Sequence, residues 1–278
     1  MAWNWLYGLI YGLLGGLCEL LPVSPQAHEI LFEKLAGLPQ GGSLLKLAVH
    51  LGALIALVFM YRATISKLRR EKRIAALPSR RRKRQPDVES LMTLSLVKIG
   101  AWPLAIGSLL TLVLSPWFTR LWVLGLVIIF QGILIFVSQY RPQGNKEIRS
   151  TSPLDALLTG LGGIVGFIPG FSRVGVLLSI GTMRGMSKQF SLDFVYLLSI
   201  PALGALCVTD VISLFLAGGQ GAVGALILPC MFALLAAFGA ALAGIRLMQF
   251  LAVKIGYETF AYYNWGLAMF TFIIYLIG

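Results

Sequence analysis

Two short stretches carry side chains that a purely apolar helix has no use for. LPVSPQAH at 21–28 places Ser24, Gln26 and His28, one of only two histidines, around a pair of prolines, just after an apolar run that ends in Glu19. IPGFSR at 168–173 places Gly170, Ser172 and Arg173 behind another proline. Proline donates no backbone hydrogen bond and breaks a helix. Each break therefore exposes amide N–H groups at the start of the next half-helix, where the dipole favours an anion. A guanidinium adds a bidentate grip on phosphate. Together the two stretches describe a phosphate pocket. The plainer alternatives are that Ser24 and Ser172 are helix caps, that Glu19 pairs with Arg173 for structure alone, and that His28 is a structural histidine. An ionisable group at membrane depth is more often functional, and a buried charge pair is weak evidence for stability.

The elements that must position these residues are hydrophobic helices. The chain has 278 residues, is 58% hydrophobic and only 12% charged, against about 25% charged in soluble domains. Crossing a hydrocarbon core takes about 20 helical residues, and six runs qualify: 44–61, 91–114, 121–138, 192–217, 222–245 and 259–277. Alternating segments of the β-barrel kind do not occur, nor is a cleavable leader expected at the first apolar run. The fold class is an all-α polytopic membrane protein. One integral membrane domain, 1–278, divides into a first broken pair with its span (1–61), a basic loop (62–90), two spans (91–138), a second broken pair with its span (154–217) and two final spans (222–277).

The net charge is +12, and eleven of the 23 basic residues lie between Arg62 and Arg84. In a membrane protein such a run is a cytoplasmic loop obeying the positive-inside rule, in reach of anionic head groups. A nucleic-acid reading of the run is the weaker one in such a chain, and no nucleic-acid partner is expected. Arg141, Lys146 and Arg149 return the chain to the same side two spans later, the uncharged turn 218–221 suits the opposite side, and Arg246 and Lys254 come back again. By this count 1–43 starts and ends outside and 154–191 starts and ends inside, so each is a re-entrant pair. Gly15-Gly16 and Pro22 in the first match Gly162-Gly163 and Pro169 in the second. A repeat whose copies face opposite leaflets is an inverted-topology repeat, and such broken helices meet near the midplane around a polar site. The remaining polar residues have ordinary roles. Lys98 snorkels, Asp210 faces water near a span end, Glu29 and Glu33 form the wet face of a short helix, and Gln131, His50 and Asn264 bond between helices. Cys18, Cys207 and Cys230 lack metal-ligand spacing and pack.

The pattern resembles the undecaprenyl pyrophosphate phosphatases, the BacA/UppP family, whose signatures are E-x-x-x-E-F-L-P-V-S-S-T-x-H and P-G-x-S-R-S-x-x-T. This chain keeps L-P-V-S-x-x-x-H and P-G-F-S-R at the matching separation. The resemblance implies a bacterial inner-membrane enzyme with a site open to the outer side, acting on a polyprenyl pyrophosphate with a divalent cation, Mg²⁺ or Ca²⁺. It implies membrane lipids as surroundings, and a homodimer is compatible with it. By resemblance Glu19 helps hold the metal, His28 is nucleophile or general acid/base, Ser24, Gln26, Gly170 and Ser172 lie on the phosphates, and Arg173 grips them. The chain departs from the signatures at Gly15 (first glutamate), Pro25 (second serine), Gln26 (threonine), Val174 (serine) and Leu177 (threonine). The anion-gripping half survives and much of the chemical half does not. Two readings stand open: a phosphatase, or a family member that binds or flips a lipid phosphate without hydrolysing it. A structural or regulatory paralogue is a third.

Overall fold

The computed structural model describes residues 2–118, 120–140, 142, 144–216, 223–254 and 256–278. Arg141 and the turn at 218–221 lie outside the described residues, as does the Lys254 side chain. The chain is all-helical, with no strand among the described residues. Among the described residues, six helices are long and apolar enough to cross a membrane. They are α3 (Gly42–Met60), α5 (Val88–Gly107) continued through α6 (Thr111–Phe118), α7 (Leu121–Gln139), α10 (Lys188–Leu216), α11 (Val223–Lys254) and α12 (Glu258–Ile277).

Two broken segments sit among them. The first is α1 (Trp5–Glu19) and α2 (Pro25–Leu35); the second is α8 (Pro153–Gly163) and α9 (Arg173–Met183), joined through a short 3₁₀ turn at Ile164–Phe167. The loop expected at 62–90 is largely a helix, α4 (Arg62–Ala76), because its Arg, Lys, Glu, Ala and Leu residues are good helix formers. Buried Glu71 organises the stretch from α4 to α5: it takes Arg84 and Arg70 and accepts the Asp87 N–H at 3.0 Å.

Helix α1 is held against α11 by close backbone approach. A Cβ added at Gly8, Gly12 or Gly16 would lie 2.2–2.4 Å from backbone atoms of Pro229, Ala233 and Ala237. Small residues four apart let two helix backbones touch, which in lipid is a main source of helix association. This contact fixes the rotation of α1 and so the direction of Glu19. Helices α3 and α10 run antiparallel: Tyr61 donates to Asp193 at 2.7 Å at one end, and Ser43 to Ser213 at 2.8 Å at the other. The basic segment lies beyond the first of these ends.

The break between α1 and α2 is saturated by side chains from four places. Leu20 O accepts from Tyr196 Oη (3.0 Å), Leu21 O from Ser172 Oγ (2.8 Å), Pro22 O from Asn264 Nδ2 (3.0 Å) and Ser24 O from His28 Nδ1 (2.6 Å). Unpaired carbonyls in an apolar interior are expensive. These four donors explain how non-helical backbone persists there.

Candidate functional site

The two breaks meet at Glu19 and Arg173. Glu19 ends α1 and Arg173 opens α9, and they are 6% and 4% exposed. Arg173 Nη2 donates to Glu19 Oε2 at 3.2 Å. The other carboxylate oxygen, Oε1, lies 3.2 Å from His50 Nε2 on α3, and His50 Nδ1 lies 2.6 Å from Asp210 Oδ2 on α10. A chain of alternating charge thus runs Arg173–Glu19–His50–Asp210 through the centre of the helices. Both His50 nitrogens face carboxylate oxygens, so the ring is held between two acids. Asp210 is buried in this chain rather than facing water, because α3 presents His50 to it.

Arg173 Nε is buried without a hydrogen-bond partner. A buried donor left open on a guanidinium is unusual and calls for an acceptor. Arg173 lines a cavity of about 20 Å³ with Glu19, Pro25, Gln26 and His50, room for about one water molecule. That cavity adjoins a cleft of about 230 Å³, with which it shares Gln26, His50 and Leu206. The cleft also holds Lys46, Ser43, Thr209 and Asp210. A third cavity, about 180 Å³, shares Gln26, Ser43 and Lys46 and adds Glu29 and Glu33. All lie toward the Ser43–Ser213 end, away from the basic segment. A larger cavity, about 420 Å³, lies at the opposite end between Gln139, Lys188 and Glu258, and touches none of these residues.

The half-helix starts are capped from within. Ser24 Oγ accepts from Ala27 N (3.2 Å), and Ser172 Oγ accepts from Gly175 N (3.1 Å) while donating to Leu21 O. Gln131 takes the Ser172 N–H at 3.1 Å. These hydroxyls are engaged in capping, so the two serines shape the breaks. Gly170 has φ +101°, a backbone conformation that suits glycine, and a Cβ there would strike Val127 at 2.7 Å.

His28 sits elsewhere than beside Arg173. It is absent from the lining of the three adjoining cavities, and its ring stacks on Tyr263 of α12. Nδ1 must donate to the Ser24 carbonyl, so in the neutral ring Nε2 accepts from Tyr263 Oη at 2.7 Å. The histidine beside Glu19 is His50. Glu29 and Glu33 are likewise not a wet face: they are 5% and 8% exposed, because α2 folds back on α1, which sets Glu29 over Gly15, and Glu33 accepts the Gly41 N–H. Gln131, His50 and Asn264 do bond between helices, as expected. Only an unpaired acid within an apolar run could have pointed to Glu29 beforehand; Lys46 carried no sequence signal.

A divalent cation tests poorly against these side chains. Both Glu19 oxygens are engaged, position 15 offers no ligand, and among the described residues no three His, Cys, Asp or Glu side chains converge. Mg²⁺ wants near-octahedral oxygen ligation. The residues present do not fit a resident cation.

The profile of a protein family described as "Bacitracin resistance protein BacA" matches residues 8–270. The chain belongs to this family. BacA-type relatives include a protein named undecaprenyl-diphosphatase from Carboxydothermus hydrogenoformans, 29% identical over 279 residues and covering 99% of both chains. Others bearing that name come from Campylobacter curvus, 32% identical over 69% of this chain and 71% of the relative, and Campylobacter concisus, 31% identical over 70% and 72%. With six apolar helices, this BacA member is a multi-pass membrane protein.

Proposed function

We propose that this chain is an undecaprenyl-diphosphatase, removing the terminal phosphate of undecaprenyl pyrophosphate or a related polyprenyl pyrophosphate. The products are the lipid monophosphate and phosphate, and the lipid carrier of cell-wall precursors returns to use. The observation that carries this reading is Arg173: buried, oriented by Glu19, with its Nε unpartnered beside a polar cleft. A preorganised cation in a water-poor site stabilises charge that grows on a transferred phosphoryl group. Gln26 lines all three cavities and reaches the same space. Ser24, Ser172 and Gly170 hold the two breaks in shape, and His28 with Tyr263 braces the first. The full-length match to one protein named undecaprenyl-diphosphatase, with matches over about 70% to others of that name, favours hydrolysis over a carrier role.

In this reading the two broken segments are re-entrant pairs of an inverted repeat. Their ends support it: Trp3 donates to Pro39 O at 3.1 Å, and Arg184 to Asp155 at 2.8 Å, so each pair returns to the end where it began. The basic segment 62–90 then faces the cytoplasm, and the cleft opens to the outer side of a bacterial inner membrane.

The test is phosphate release from farnesyl or undecaprenyl pyrophosphate by the purified chain in detergent, with Mg²⁺, with Ca²⁺ and with chelator. Release that falls with Arg173→Ala is expected. No release under any of these conditions would overturn the reading.

A further inference from the structure

Hydrolysis needs something to take the proton from the attacking water, and the obvious candidates are occupied. Glu19 is engaged through both oxygens, and His50 faces a carboxylate on each nitrogen. His28 has Nε2 on Tyr263 and lies off the cavities. Glu33 Oε1 accepts the Gly41 N–H at 2.7 Å. Glu29 is different. It is 5% exposed, forms no ion pair among the described residues, and lines the 180 Å³ cavity with Gln26 and Lys46. Its Oε1 stands 2.7 Å from where a Cβ on Gly15 would be. The space that a side chain at position 15 would fill is thus taken by a carboxylate delivered from α2.

We propose that Glu29 is the general base of this chain, set over Gly15 and facing a phosphate held between Lys46 and the Arg173 end of the cleft. This rests on the phosphatase reading above. A water in the 180 Å³ cavity gives its proton to Glu29 as its oxygen bonds to the terminal phosphorus. The bond from that phosphorus to the bridging oxygen breaks, and its electron pair leaves on the lipid monophosphate. Glu29 then returns the proton to solvent past Gln40 and Gly42, the exposed residues of the cavity lining. No other reactant is needed. Lys46 lines both larger cavities, so its ammonium can reach a phosphate at their junction. A buried carboxylate without a paired cation is costly to keep, and ionisable groups in such clefts concentrate at functional sites.

The experiment compares wild type, Glu29→Gln and Glu29→Asp with farnesyl pyrophosphate as probe, following kcat and KM across pH. General-base catalysis contributes about 100- to 10,000-fold, so Glu29→Gln should lose about 100-fold or more in kcat with KM little changed. The acidic limb of the kcat profile should vanish with it, and Glu29→Asp should keep that limb at reduced rate. A Gly15→Ala substitution crowds the carboxylate at 2.7 Å and Val49 at 2.8 Å, so it should slow the wild-type background, where the base is at stake, more than the Glu29→Gln background; this cycle stands even if Glu29→Gln is poorly stable. If wild type releases phosphate while Glu29→Gln keeps most of its kcat or its acidic limb, or if Gly15→Ala acts equally in both backgrounds, the assignment to Glu29 is wrong. A wild type that releases none removes the phosphatase reading instead.

Discussion

Arg173 and Glu19 meet at 3.2 Å although 154 positions separate them in the chain. One opens a half-helix and the other closes one, so the pair ties the two breaks together and aims the guanidinium at the cleft.

Arg173→Ala should therefore destabilise as well as inactivate. Removing one member of a buried pair leaves an uncompensated charge, at about 3–5 kcal/mol. Thermal unfolding in detergent is expected to show a lowered midpoint. Adding Glu19→Gln should restore most of the midpoint and none of the phosphate release, which separates folding from catalysis.

His28 predicts a different pattern. His28→Ala leaves the Ser24 carbonyl only the longer bond from the backbone N–H of residue 28, at 3.4 Å, and removes the Tyr263 contact as well, a loss of about 1–3 kcal/mol, whereas Tyr263→Phe removes one hydrogen bond of about 1 kcal/mol. The expected order of melting midpoints is wild type, Tyr263→Phe, His28→Ala. An unchanged midpoint in His28→Ala would show that the ring does not brace the break.

Lys46→Met should act on binding. A charge-assisted contact is worth about 1.5–3 kcal/mol, which corresponds to a rise of about 10- to 100-fold in KM for the pyrophosphate, with kcat less affected. Equal KM in the two proteins would place the head group away from Lys46.

The basic segment predicts a pH effect outside the spans. The Arg84 guanidinium, followed by the Asp87 N–H, holds the Glu71 carboxyl down from its ordinary 4.5 to about 2. A lowered pKa in the folded state means the interaction stabilises above about 4.5 and is lost as pH falls toward about 2. Hydrogen exchange of 62–90, corrected for the intrinsic pH dependence, should show protection falling through that window. Glu71→Gln should already expose Arg80–Arg84 to trypsin at neutral pH.

Much of this architecture is legible in the residues themselves. The six spans follow from runs of apolar side chains, and the structure moves most of their ends by a few residues, as with 121–138 against Leu121–Gln139, while the run expected at 222–245 continues as helix to Lys254. The breaks follow from Pro22, Pro25 and Pro169 set beside glycine and polar residues, since a residue without an N–H weakens a helix; Pro103, Pro201 and Pro229, set in apolar runs, stay inside helices. That Arg173 and Glu19 belong together follows from the cost of a lone charge in hydrocarbon. None of these properties needs a partner to be known in advance.

Which side chains share the cleft was decided only by tertiary packing. The Gly8–Gly12–Gly16 contact with α11 sets how α1 is rotated, and the turn of α2 upon it carries Glu29 inward and His28 toward Tyr263. On a helix of eleven residues, a rotation of one position, about 100° at 3.6 residues per turn, exchanges the buried face for the neighbouring one. Sequence periodicity resolves which residues lie on one face of a helix. Only the contacts of neighbouring helices decide where that face points, and that is why His50, not His28, stands beside Glu19.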